Sequence, residues 1–138
     1  MFGEYQHSLD AKGRVNFPAK LRDELGEMFY ITKGLDGCLF VYSQAGWAVL
    51  AERIRSLPMS RARDIQRFFF GGAAEAEPDK QGRIMIPANL RTFAGLAKDI
   101  VIAGTEDHAE IWDKDKWEAR MSSVTDEVIA EAIDLAGF

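Results

Sequence analysis

The feature that most restricts how this chain can fold is that its sequence is written twice. The run Asp10-Ala11-Lys12-Gly13-Arg14-Val15-Asn16-Phe17-Pro18-Ala19-Lys20-Leu21-Arg22 returns as Asp79-Lys80-Gln81-Gly82-Arg83-Ile84-Met85-Ile86-Pro87-Ala88-Asn89-Leu90-Arg91, at a constant offset of 69 residues. With one further residue the match continues, Gly34 aligning with Gly104, Val41-Tyr42 with Ile111-Trp112, and Trp47 with Trp117. Internal repetition of this kind marks a supersecondary unit that cannot bury its own apolar face and must stack on a copy of itself. Two short β units closing on each other about a pseudo-twofold axis, as a small barrel, are the simplest way to satisfy that need.

Each copy reads in the same order. Asp10 to Arg14 and Asp79 to Arg83 are expected to be hairpin loops. Aspartate opens a turn by accepting backbone N–H groups, and Gly13 and Gly82 supply the left-handed residue that closes it. Arg14-Val15-Asn16-Phe17 then alternates polar and apolar, the pattern of a half-buried strand. Pro18 and Pro87 end that strand and open a helix. The helices are expected over Ala19 to Met28 and from Pro87 through Phe93, with Gly95 as a stop. Strands are expected near Phe29 to Thr32, Leu39 to Tyr42, Ile100 to Ala103 and Ala109 to Trp112. Helices are expected over Gln44 to Leu57 and from a Ser60 cap to Phe70. Asp113 is expected to cap a helix over Lys114 to Met121. A last helix, signalled by Ser123-Val124-Thr125-Asp126, carries an apolar stripe of Val128, Ile129, Ala132, Ile133 and Ala136. The class is therefore α+β, with linking and C-terminal helices and units at 1–70 and 71–138.

The net charge is −5, which by itself disfavours a nucleic-acid partner. The charge is unevenly placed. Residues 1–69 hold ten Lys and Arg against eight Asp and Glu, whereas residues 70–138 hold seven against fourteen. Affinity for a polyanion follows the potential at the contact surface, and that surface lies in the loops. Cys38 is the one cysteine, so no internal disulfide can form, in keeping with a reducing cytoplasm. No apolar run approaches the ~20 residues of a membrane span. The opening Met1-Phe2-Gly3-Glu4-Tyr5 has no secretory-signal character.

The repeated Asp-x-x-Gly-Arg, strand, Pro-Ala-x-Leu-Arg pattern resembles the AbrB-like swapped-hairpin superfamily of transcription factors and antitoxins. Two such units, an opening Met1-Phe2-Gly3-Glu4-Tyr5-Gln6-His7-Ser8-Leu9-Asp10, and the segment Phe68-Phe69-Phe70-Gly71-Gly72-Ala73 look specifically like the MraZ family. The resemblance covers essentially the whole chain. It implies a DNA-binding transcriptional regulator of two AbrB-like (SpoVT-AbrB) units, associated with the nucleoid. Such a regulator acts on G-containing direct repeats in the promoter of the division and cell-wall gene cluster, usually as a repressor. It further implies a homo-oligomeric ring, and it assigns DNA binding to the Asp-x-x-x-Arg motifs, here Asp10 with Arg14 and Asp79 with Arg83. Lys12 in the first copy is replaced by Gln81 in the second, where Lys80 supplies the neighbouring charge.

The residue chemistry agrees with those roles. A guanidinium fork matches the two major-groove acceptors of guanine, which suits Arg14 and Arg83. Lys12 and Lys80 at the loop tips suit phosphate contacts, which position without reading sequence. Asp10 and Asp79 suit holding the turn and orienting the arginine, because a carboxylate is repelled by phosphate. Lys20, Arg22, Arg91, Arg61, Arg63 and Arg67 read more simply as surface helix charges. Trp47 and Trp117 read as core or interface anchors. His7 and His108 lack ligand partners at zinc spacing, so neither metal nor cofactor is expected. No phosphate-binding glycine loop or nucleophile elbow is present, and Glu106-Asp107-His108 alone does not make a hydrolase. The competing class is an interaction module of antitoxin or scaffold type, using the same barrel to hold a partner protein.

Overall fold

Pro18 and Pro87 each stand at the entrance of a short helix with no side-chain cap, their fixed φ and absent N–H fitting the first turn. Around them the computed structural model, which describes residues 1–137, builds the two copies in the same sequence. The first copy runs β1 (Phe2–Ser8), β2 (Arg14–Asn16), α1 (Ala19–Leu25), β3 (Phe29–Lys33), β4 (Leu39–Ser43), α2 (Gln44–Arg55) and α3 (Met59–Phe69). The second runs β5 (Ala74–Ala76), β6 (Arg83–Met85), α4 (Ala88–Ala94), β7 (Asp99–Thr105), β8 (Ala109–Asp113), α5 (Lys114–Ser122) and α6 (Asp126–Ala136). The mixed α+β class and the repeated order agree with the sequence.

The copies are interleaved rather than set side by side. β1 pairs antiparallel with β7 of the second copy, and β5 pairs with β3 of the first. β4 pairs with β8, completing a six-stranded sheet in the order β1-β7-β8-β4-β3-β5. A separate two-stranded ribbon joins β2 to β6. Equivalent residues face each other: Val15 is opposite Ile84, and Phe40 is opposite Glu110. The expected hairpins at Asp10 and Asp79 are therefore loops between strands that each find their partner in the other copy. The reason is apolar: Val15 and Ile84, each 2 % exposed, cover one another, and burial of such a side chain stabilises by about 1.5–3 kcal/mol.

Both copies feed one core. Val15 and Ile84, Phe17 and Ile86, Leu21 and Leu90, and Val41 and Ile111 all belong to a single buried cluster. The partners across the sheet also correct the repeat alignment. Ile31 lies opposite Val41 and Ile102 opposite Ile111, so β3 and β7 correspond at an offset of 71 residues. Gly34 and Gly104 are one residue out of register. Two extra residues precede β7 and the β7–β8 turn is one residue shorter, so β4 and β8 correspond at an offset of 70 and the second insertion is concealed.

Other departures are local. β1 and β5 were not signalled, being polar or very short. α1 stops at Leu25, ahead of the expected Met28, because Gly26 follows at φ 91°. α3 starts at Met59 behind Pro58, and the expected Ser60 cap lies inside it. The caps on the later helices form as expected: Asp113 accepts from the Lys116 N–H, and Thr125 from the Val128 N–H. Cys38 is buried, its thiol pushed up to about 12, chiefly by that burial. A second, smaller cluster of Cys38, Phe40, Val101 and Trp112 takes in Phe69 and Trp117. The run Phe68–Phe70 is spread over three contacts: Phe68 meets Phe93, Phe69 stacks on Phe40, and Phe70 meets Trp47.

Candidate nucleic-acid interface

Each Asp-x-x-x-Arg motif folds around its carboxylate. One oxygen of Asp10 accepts the backbone N–H groups of Lys12 and Arg14, both at 2.9 Å. Its other oxygen accepts Nε of Arg14 at 2.8 Å. Asp79 repeats the pattern on Gln81 and Arg83, with Nε of Arg83 at 3.1 Å. Main-chain bonds between Asp10 and Arg14, and between Asp79 and Arg83, close each loop, and both run through a glycine at positive φ, Gly13 at 80° and Gly82 at 77°. Only glycine tolerates that geometry at little cost. The Nε edge of each guanidinium is thus engaged with its aspartate, and the fork is held in a set direction.

The hydrogen bonds to the carboxylate carry an electrostatic consequence. The Arg14 backbone N–H, and then the Arg14 side chain and the Lys12 N–H, hold the Asp10 carboxyl at about 2. Asp79 is lowered in the same sense, the Arg83 backbone N–H contributing most. A group depressed in the folded state stabilises fully above its ordinary value and loses that contribution as pH falls through the folded value. We therefore expect carbon-detected NMR to show Asp10 titrating near 2, with the first loop intact through mildly acid pH. A midpoint at its ordinary value of 3.8 would mean that the carboxylate cage does not form.

The two loops meet through the ribbon. Arg14 stands opposite Met85 and Asn16 opposite Arg83, so alternation puts all four side chains on one face, with Val15 and Ile84 on the other. The buried pair turns that face outward, where Asn16 and Met85 are exposed. The arginines are offset by about 6–7 Å along the strands and about 5 Å across them. Arg14 and Arg83 are 40 % and 35 % exposed, in matching poses. Lys12 and Lys80 lie exposed beside them. All six residues singled out from the sequence therefore gather in this one region. Asn16 and Met85 on the ribbon face were missed. The period-two alternation of the strand, applied across both copies, would have found them.

Arg22 and Arg91 differ from the surface charges expected. Arg22 Nε donates to the Phe17 carbonyl and Arg91 Nε to the Ile86 carbonyl, both at 2.9 Å, and both side chains are half-buried. Lys20 stays exposed, as do Arg61, Arg63 and Arg67 on α3, where Arg67 pairs with Asp64 at 3.2 Å. Trp47 stacks on Tyr30 at 4.7 Å, and Trp117 packs on Trp112 while donating to Glu4. His108 lies 2.7 Å from Asp107 and stacks on Tyr42. Burial would depress the His108 ring, but the Glu110 and Asp107 carboxylates outweigh it and raise its pKa.

The chain is similar to known proteins over nearly its whole length. A family model described as "MraZ protein, putative antitoxin-like" matches residues 1–68 and again residues 69–134. A protein named "Transcriptional regulator MraZ" from Acetivibrio thermocellus is 54% identical over 140 residues, spanning 99% of this chain and 98% of its own. A protein of that name from Moorella thermoacetica is 49% identical, spanning 99% and 96%. Another, from Heliobacterium modesticaldum, is 56% identical over 117 residues, spanning 83% and 82%.

Proposed function

The chain belongs to the MraZ family, and from that premise we propose that it is a transcriptional regulator that reads double-stranded DNA with the β2–β6 ribbon. A two-stranded ribbon fits the major groove, where each base pair shows a distinct pattern of donors and acceptors. Arg14 and Arg83 bind guanine edges with the fork atoms that Asp10 and Asp79 leave unused. Lys12 and Lys80 contact phosphate. Asn16 and Met85, between the arginines, are placed for an adenine edge and a thymine methyl. The observation that carries this reading is the placement of both motif arginines on one outward face, in matching poses, despite a separation of 69 positions in the sequence.

The finer architecture in this proposal is two swapped-hairpin units, 1–70 and 71–138, closed as a pseudo-twofold barrel. The target implied by family membership is the G-containing direct repeats in the promoter of the division and cell-wall cluster, with repression as the outcome and the nucleoid as the location. A titration by fluorescence anisotropy tests the reading, using duplex DNA from upstream of the protein's own gene against a scrambled duplex. Preferential binding that weakens as salt rises is expected, because phosphate contacts release counterions. Equal affinity for both duplexes overturns the sequence-specific reading.

A ring-like homo-oligomer completes the proposal. α6 leaves Val128, Ile129 and Leu135 at 51%, 47% and 90% exposure, an apolar stripe with no partner in its own chain among the described residues. Ile129→Asp is expected to shift the light-scattering mass to smaller species while circular dichroism stays unchanged. A parent protein that runs as a strict monomer overturns the assembly. The same stripe favours the second reading, an interaction module of antitoxin or scaffold type. That reading gains if α6 variants lose a protein partner while DNA binding persists.

A further inference from the structure

We propose that Arg22 and Arg91 are positioning residues, each holding the DNA-reading loop of the opposite copy. A closed circuit of contacts carries this. The Gly13 carbonyl accepts the Ile86 N–H at 2.9 Å. The Ile86 carbonyl accepts Arg91 Nε at 2.9 Å. The Arg91 guanidinium then lies back against Gly13, so that a Cβ built there would fall 2.7 Å from its Nε and 2.8 Å from its Cζ.

The mirror circuit runs from the Gly82 carbonyl to the Phe17 N–H at 3.0 Å, and from the Phe17 carbonyl to Arg22 Nε at 2.9 Å. It ends with the Arg22 guanidinium over Gly82, where a Cβ would fall 2.7 Å from Cζ. The glycine in each motif thus serves two needs. It takes the positive φ of the turn and leaves room for a flat cation from across the pseudo-dyad. The residue after each glycine is the reading arginine. Arg22 therefore fixes the base of Arg83, and Arg91 fixes the base of Arg14. A planar guanidinium is suited to this, since Nε is spent on a carbonyl while the plane covers the backbone. Binding groups need support that holds them within about 0.5 Å of their working pose.

This inference rests on the ribbon being the DNA-binding face, so one arm of the test needs no DNA. Hydrogen exchange on the full chain with Arg22→Gln is expected to speed about tenfold in peptides covering residues 79–83, consistent with local opening of the loop, and to leave 10–14 unchanged. Arg91→Gln is expected to give the reverse. Loosening of the variant's own loop, or of neither loop, overturns the proposal even if DNA binds. Arg22→Met, which keeps the aliphatic stem, carries the same measurement should Arg22→Gln not fold.

The second arm reads affinity. Arg22→Gln is expected to weaken binding about tenfold, within the range one good guanine contact carries. In the Arg83→Ala background it is expected to cost nothing more, and in the Arg14→Ala background its full effect. Equal losses in both backgrounds, or rescue by Arg22→Lys, would make Arg22 a phosphate contact and overturn the positioning role. If no variant changes affinity because the parent binds no DNA, while exchange still shows the crossed pattern, the DNA reading fails and the loop-holding role stands.

Discussion

Replacing Arg14 by alanine is expected to cut affinity for the specific duplex by between about fivefold and about 150-fold for a single loop, the value of one bidentate arginine–guanine pair. In a multivalent assembly the loss recurs on every subunit, and the lowered effective concentration compounds it, so binding should fall near the non-specific level. Arg14→Ala and Arg83→Ala together should abolish discrimination between specific and scrambled DNA. Stability should barely move. The Arg14–Asp10 pair is exposed, with 40% and 39% side-chain accessibility, and solvent screening leaves such pairs little weight in stability. A protein that melts like the parent yet no longer selects its duplex would separate recognition from folding. An Arg14→Ala protein that binds like the parent would mean the site lies elsewhere.

Phe29→Ala should do the opposite, damaging the fold before the site. Phe29 is fully buried and its ring lies 5.2 Å from that of Phe17. Truncating such a phenylalanine costs about 3–5 kcal/mol, which for a chain of this size lowers the melting midpoint by roughly 10–20 °C. Because both copies feed the one cluster, the whole protein should still melt in one transition. Two resolved transitions, with only the first displaced, would show that the halves fold independently. For the same reason residues 1–70 alone should not give a folded monomer: β1 and β2 would lack β7 and β6, the strands that cover them.

The sequence showed most clearly what is local. The alternation Arg14-Val15-Asn16-Phe17, the prolines ahead of the helices, and the caps at Asp113 and Thr125 are each decided within a few residues. What it concealed was decided across the chain. β1 is polar, contains Gly3 and is held by residues 91 or more positions away, so nothing in its own composition announces a strand. Gly34 and Gly104 align in the sequence but not in space, because the shorter β7–β8 turn takes back one of the two residues inserted before β7. Arg22 and Arg91 resemble any basic residue on a short helix until the other copy's glycine is placed beneath them. Four of the six motif residues, the Asp–Arg pairs, are fixed by local turn chemistry. Asn16 and Met85 join the site only once the ribbon pairs.

Fusing two related units in one polypeptide removes a restriction that binds every true homodimer. A symmetric dimer must show the same residue on both sides of its axis, so it reads a sequence alike from either direction. Here Asn16 occupies one side and Met85 the other, and Lys12 is matched by Gln81. The ribbon consequently has a head and a tail. If the ribbon reads DNA as proposed, it would tell forward from reverse on a duplex, and successive molecules lined up in the same sense would favour sites arranged in tandem over inverted ones.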